Sequence, residues 1–242
     1  MASSLIWITG ASGGIGQALV ETVPWSDANV AGIGRRPARG ARHLAADLSD
    51  PASWAVVGDD MTREVAGFVG ERVIFIQAAG TLEPIGFAGE VDADAYRRNV
   101  LLNSAAFQVL GGYFLAATAS LGNTRRQMLI LGSGAAHSVY PGWSSYGAAK
   151  AAVDQWVRDV GAEQEIRGGA EVLSVAPGTV DTPMQAAIRE VGDRDFSQRG
   201  KFVDLHQSGA LSDPVDVARS IWDLLSQGRR SGSVLDLRDL SR

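Results

Sequence analysis

The chain has 242 residues, 45% of them apolar and 20% charged, with a net charge of -5 and no cysteine. That length suits one domain with a full core, and the lack of cysteine excludes disulfides, thiolate metal sites and a cysteine nucleophile. The acidic balance, with a pI near 5.2, argues against nucleic acid as a partner. No apolar run reaches the roughly 20 residues that span a bilayer, and the amino terminus lacks the basic flank of a secretory signal, so a cytoplasmic chain with no membrane partner is expected. Glycine is in excess, at 29 residues against about 7% in average usage, which points to close approaches of backbone.

In chain order, the first apolar run is Leu5-Ile6-Trp7-Ile8. It leads directly into Thr9-Gly10-Ala11-Ser12-Gly13-Gly14-Ile15-Gly16 and then a helical stretch from Gln17. A glycine turn between strand and helix lets backbone N–H groups and the helix dipole meet a pyrophosphate. Its position at the junction, more than the glycines themselves, carries that reading. The second run, Val30 to Ile33, ends on Gly34-Arg35-Arg36. A binder that selects NAD places a carboxylate here for the ribose 2′-hydroxyl. Glycine followed by two guanidiniums suits a 2′-phosphate instead, so NADP (NADPH) is the expected cofactor. A solvated arginine pair is the plainer alternative. Asp47-Leu48 closes a third expected strand and is placed to meet the adenine edge.

A fourth run, Val73 to Ile76, is followed by Gln77-Ala78-Ala79-Gly80. Asn99 then falls in what reads as an otherwise apolar helix, where a buried amide needs a polar partner. Ser133 follows the run Met128 to Leu131, at a strand end where open α/β sheets present ligand groups. Tyr146 and Lys150 stand at i and i+4 on the amphipathic stretch Tyr146 to Ile166, which puts phenol and ammonium on one helical face. A fixed cation favours the phenolate, although moving a tyrosine from about 10 to about 7 needs roughly 4 kcal/mol. Val172 to Val175 and Val234 to Leu237 complete the apolar runs. Between them, Gln185 to Ser212 is polar and poorly periodic, and reads as a mobile loop that could bear on substrate. Ser212-Asp213-Pro214 opens a helix to Gln227, with an aspartate cap and proline in the first turn. Non-alternating strands separated by helices imply an α/β protein with a single-domain doubly wound parallel sheet, a Rossmann fold.

These residues together resemble the short-chain dehydrogenases/reductases. The loop Thr9 to Gly16, Asp47-Leu48, Ala79-Gly80, Asn99, Ser133, Tyr146, Lys150, Pro177-Gly178 and Thr182 follow that family's order and spacing. The resemblance implies that Tyr146 is the general acid and that Ser133 orients the carbonyl oxygen. It implies that Lys150 holds the nicotinamide ribose and lowers the tyrosine pKa, while Asn99 anchors a proton-relay water. Gly10, Ser12, Gly13, Gly14, Ile15, Gly16, Arg35, Arg36, Asp47, Leu48, Ala79 and Gly80 would hold NADP with Tyr146 and Lys150. Pro177, Gly178, Val180 and Thr182 would line the nicotinamide half, and no metal is implied. One departure stands out: the family's Asn-Asn-Ala-Gly is here Gln77-Ala78-Ala79-Gly80, so whatever those asparagines brace is handled differently.

The segments Gly80 to Gly86, Gly142 to Tyr146 and Gly232 to Asp239 resemble the branch of sepiapterin and benzil reductases. That branch implies NADPH-dependent reduction of one carbonyl of a vicinal diketone, or of a pterin side chain. Asp236 matches the pterin-anchoring carboxylate, with a structural strand-end bond as the competing reading. Trp143 is either a flat wall for an aromatic substrate or ordinary packing. Met184 and Gln185 are substrate contacts by position, while His43, His137 and His206 read as loop histidines. The family also implies a homodimer or homotetramer, built through the helices around residues 99–117 and 146–166. Two alternatives remain: a dehydrogenase of secondary alcohols such as steroids or polyols, and a non-catalytic dinucleotide sensor. The missing carboxylate at Gly34 counts against the first. A sensor has no use for Asn99, Ser133, Tyr146 and Lys150 together.

Overall fold

The computed structural model describes residues 3–240. The strands are β1 (Ser4–Thr9), β2 (Ala28–Gly34), β3 (Arg42–Ala45), β4 (Arg72–Gln77), β5 (Arg125–Leu131), β6 (Glu171–Ala176) and β7 (Val234–Asp236). They form one parallel sheet of seven strands in the order β3-β2-β1-β4-β5-β6-β7. The runs lack alternation because both faces are covered. Leu5, Trp7, Val73, Phe75, Met128 and Ile130 point into one core, and Ile6, Ile8, Ile74, Ile76, Leu129 and Leu131 into the other. Each run is thus two interleaved period-2 patterns, one per face.

Helices fill both layers. The first face carries α2 (Trp54–Val65), α4 (Ala106–Thr118) and α5 (Ser144–Arg167). The second carries α1 (Gly14–Glu21) and α8 (Pro214–Gln227). As expected, α8 opens with Pro214, and the Asp213 side chain accepts from the Val215 N–H. The strand order reverses beside β1, which opens a crevice at the carboxyl ends of β1 and β4.

Three expectations change. The segment 185–212 is not an open loop: it contains most of α6 (Pro183–Glu190) and all of α7 (Arg199–Gln207). Both are short and bury only one or two residues each. Ile188, Phe196 and Phe202 nevertheless anchor the segment beneath Trp143. Asn99 lies in α3 (Ala93–Val100), which is polar rather than apolar and continues through a π-helical turn, Leu101–Ala105, into α4. That continuous helix, Ala93–Thr118, is long and apolar enough to cross a bilayer by length and composition. Its Phe107, Leu110 and Phe114 are fully buried against the sheet, as befits a core helix. Finally, β7 stops at Asp236, and Leu237 opens the terminal helix α9 (Leu237–Leu240).

The far edge of the sheet holds a buried carboxylate. Asp60 of α2 accepts from the Trp7 indole at 2.9 Å and from both Arg42 guanidinium nitrogens at 2.9 and 2.8 Å, and it also meets Arg63. Burial pushes its carboxyl upward, but the bonds from Arg42 and Trp7 and the two guanidinium charges outweigh that and hold it below its usual value. A depressed folded pKa means stability present above the unfolded pKa and lost as pH falls through the folded one. Asp60→Ala should cost about 2–3 kcal/mol, chiefly by leaving the indole N–H buried without an acceptor. The half-exposed guanidiniums can return to water. Urea unfolding between pH 7 and pH 3 should show a flatter acid decline in the variant than in the parent.

Candidate active site

A cleft of about 460 Å³ opens at the carboxyl ends of the strands. At its centre, β1 turns into α1. Gly10 and Gly14 have φ of +66° and +49°, the left-handed region that favours glycine. A Cβ on Gly10 would stand 2.7 Å from the Ala79 backbone, and one on Gly16 would stand 2.3 Å from the Gly10 carbonyl. The turn therefore closes only with glycine. The first N–H groups of α1 have no side-chain cap, because Gly13 holds the cap position. Uncapped donors at a helix start suit a phosphate. Ser12, Gly13, Ile15 and the glycines around them line the cleft.

Arg35 and Arg36 line its far end, beyond β2. A Cβ on Gly34 would meet nothing within 4 Å, so no packing demand excludes a carboxylate there. Asp47 accepts from the Ser49 hydroxyl at 2.7 Å and the Ser49 N–H at 3.0 Å. Those bonds, with the charges of Arg35 and Arg98, hold its carboxyl below the usual value despite burial. Arg98 lies on the cleft as well, a cation that the sequence reading passed over. The glycine cradle, the uncapped helix start and the guanidiniums together fit a dinucleotide phosphate.

The altered motif after β4 is explained by compensation. The Gln77 amide reaches the Phe107 carbonyl at 2.9 Å, tying β4 to α4. Ala79 N–H donates to the Thr9 hydroxyl, which holds the next turn against β1. Asn103 takes over the bracing: its Oδ1 accepts from Thr81 N–H at 3.0 Å and its Nδ2 donates to Thr81 O at 2.7 Å. It also donates to the Asn99 Oδ1 at 2.9 Å. Asn99 in turn donates to the Thr81 and Glu83 carbonyls. The amide expected to anchor a relay water is thus engaged in holding the 81–83 segment. The signal for Asn103 was present, since two asparagines at i and i+4 share a helical face.

The chemical end is carried by α5 and the strand beside it. Tyr146 is buried, and the Ser133 hydroxyl near it acts to favour the phenolate. Burial raises the phenol above its ordinary value, and Ser133 opposes this only in part. The expected lowering involves an oxidised nicotinamide beside Lys150; among the chain's own groups desolvation dominates. Lys150 donates to the Leu131 carbonyl at 2.7 Å, with its ammonium 5.7 Å from the Tyr146 ring centroid. Burial pulls the ammonium down to about 8, and the charge of Asp154 works against that fall.

The other expected contacts divide between the cleft and the core. Pro177, Thr182 and Met184 line the cleft with Leu48, Ala79 and Gly80. Gly178 backs onto Arg238, and Val180 packs in the second core, bridging by backbone to Ser212. Trp143 is no open wall: it is buried, stacked on Phe196 at 4.6 Å and edge-on to Tyr146 at 5.8 Å. Gln185 is buried and donates to the Phe202 carbonyl, so it joins α6 to α7. Asp236 is bound by Arg238 at 2.5 and 2.9 Å, the strand-end bond that competed with substrate anchoring. His137 is no idle loop residue, since its Nε2 lies 3.1 Å from the buried Asp154. Among the described residues no cluster of histidine and carboxylate groups could hold a metal.

The family model described as short chain dehydrogenase matches residues 4–192. A benzil reductase ((S)-benzoin forming) of Bacillus subtilis is 34% identical over 168 residues, 69% of each chain. One from Bacillus cereus is 29% identical over 230 residues, covering 90% of this chain and 92% of its own. The crystal structure of a short chain dehydrogenase/reductase from Saccharomyces cerevisiae superposes with a TM-score of 0.83 at 27% identity. It covers 98% of this chain and 97% of its own.

Proposed function

The chain belongs to the short-chain dehydrogenase family, and on that premise we propose that it is an NADPH-dependent reductase of vicinal diketones such as benzil. The observation that carries the reading is Tyr146: a buried phenol near Ser133, four residues before Lys150, on the same cleft as the glycine turn. Bound NADPH supplies a hydride to the carbonyl carbon. Tyr146 donates its proton to the carbonyl oxygen, and Ser133 donates a second hydrogen bond that fixes that oxygen. Lys150, seated on the Leu131 carbonyl and lining the cleft, has N–H bonds left that would hold the ribose.

Specificity follows from the two ends of the cleft. Arg35 and Arg36 favour a 2′-phosphate, with no carboxylate at Gly34 to reject it. On the substrate side, Met184 lines the cleft, while Trp143, Phe196 and Phe202 form an aromatic bed behind Tyr146 that keeps water out. Asp236 is neutralised by Arg238, which removes the anchor for a pterin and leaves the apolar diketone as the better substrate. The proposal includes a cytoplasmic homodimer or homotetramer. Initial rates with benzil test it: NADPH should be consumed with benzoin formed, at a kcat/KM at least tenfold above that with NADH. A preference for NADH would overturn the cofactor assignment.

A further inference from the structure

Helix α5 sets three ionisable side chains in one buried line, Tyr146, Lys150 and Asp154, at i, i+4 and i+8. The first two belong to the chemistry above. Asp154 is 2% exposed, accepts a 2.6 Å bond from the Ser174 hydroxyl on β6, and lies 3.1 Å from His137 Nε2 on the loop after β5. A Cβ at Gly132 would stand 2.6 Å from the Ser174 hydroxyl and 3.5 Å from the Asp154 carboxylate. The carboxylate therefore packs close to Gly132, which lines the cleft and follows the Leu131 whose carbonyl receives Lys150.

Burying a carboxylate is costly unless its charge is matched. The Ser174 hydroxyl would be met nearly as well by a neutral amide, and His137 matches the charge only when it is protonated. Lys150, one turn earlier in the same buried line, is the buried cation on which the carboxylate acts. The other groups against it are neutral: the Leu131 carbonyl on β5, the Phe107 ring at 4.9 Å on α4, and the Tyr146 ring. Around the rest of this line, β6 offers Ser174 and the loop after β5 offers Ser133 and His137. At the start of the helix α3 brings Tyr96 to Ser144, their hydroxyls 3.4 Å apart.

We infer that Asp154 is a positioning residue, the fixed counter-charge that keeps the Lys150 ammonium charged and seated on the Leu131 carbonyl. Its catalytic consequence rests on the proposed reductase function; its electrostatic content does not. Burial already brings Lys150 down to about 8 against the pull of Asp154, so loss of that carboxylate takes the ammonium into its neutral form at physiological pH.

The chain has two lysines, Lys150 and Lys201, so lysine labelled with carbon-13 at Cε gives two NMR signals, and Lys201→Arg assigns them. In the parent protein Lys150 should titrate near 8. Asp154→Asn should lower that midpoint by about one pH unit or more, and Asp154→Glu should restore it. If the asparagine variant does not fold, Asp154→Ser, whose hydroxyl can meet Ser174, serves for the same titration. An unchanged midpoint in the neutral variant overturns the inference. The titration needs neither substrate nor cofactor, so its result stands apart from the proposed activity. In turnover, the alkaline limb of kcat should move toward neutral pH in Asp154→Asn. A uniform loss at every pH, with the limb fixed, would mark a merely structural role and also overturn it.

Discussion

Tyr146→Phe is expected to lower turnover of a diketone by about 10²–10⁴-fold, the usual contribution of a positioned general acid. The dissociation constant for NADPH should change little. The substitution removes one oxygen and keeps the ring, so the edge-on packing against Trp143 and the burial beneath Phe202 survive. What disappears is the group that can deliver a proton to the carbonyl oxygen. Its neighbour, Ser133, also caps a turn by accepting from Ala135 N–H at 3.1 Å, so its hydroxyl stays oriented in the variant. Steady-state kinetics with fluorescence titration of NADPH separates the two effects. Retained turnover would remove Tyr146 from the mechanism, and lost binding would make the ring a structural prop.

Replacing Arg35 and Arg36 together by alanine should weaken NADPH far more than NADH. Each guanidinium–phosphate pair is charge-assisted, but both arginines are exposed, so screening reduces their worth. A combined loss of about 2–4 kcal/mol corresponds to roughly 30- to 700-fold in affinity. The loss should shrink as salt is raised, because exposed charges are screened within a few ångströms at high ionic strength. NADH, lacking the phosphate, should bind both proteins alike. Equal binding of NADPH to parent and variant would leave these two arginines as solvated surface charges.

The sheet was legible because parallel strands buried on both faces leave continuous apolar runs, as at Ile74 to Ile76. The site was legible where its chemistry is local in sequence: the Gly10–Gly16 turn, and Tyr146 with Lys150 on one helical face. The remainder depends on contacts between distant segments. No local pattern shows that Asn99 and Asn103 share out the backbone of Thr81 and Glu83, or that Gln77 reaches Phe107. The strand-end bond of Asp236, by contrast, is one of its two readings in sequence, and Arg238 two residues on makes it. The helices α6 and α7 escaped for a different reason. Each is short and buries only one or two residues, Gln185 and Ile188 in α6 and Phe202 in α7. The desolvation of Tyr146 is likewise invisible in the spacing of tyrosine and lysine.

The central claim is hydride transfer to a diketone carbon within this cleft. Incubating the protein with benzil and NADPH carrying deuterium at the transferable C4 position tests it most directly. The account predicts benzoin with one deuterium on the carbinol carbon, formed one for one with the NADPH consumed. Benzil recovered unchanged while NADPH binds, or benzoin without deuterium at that carbon, would contradict it.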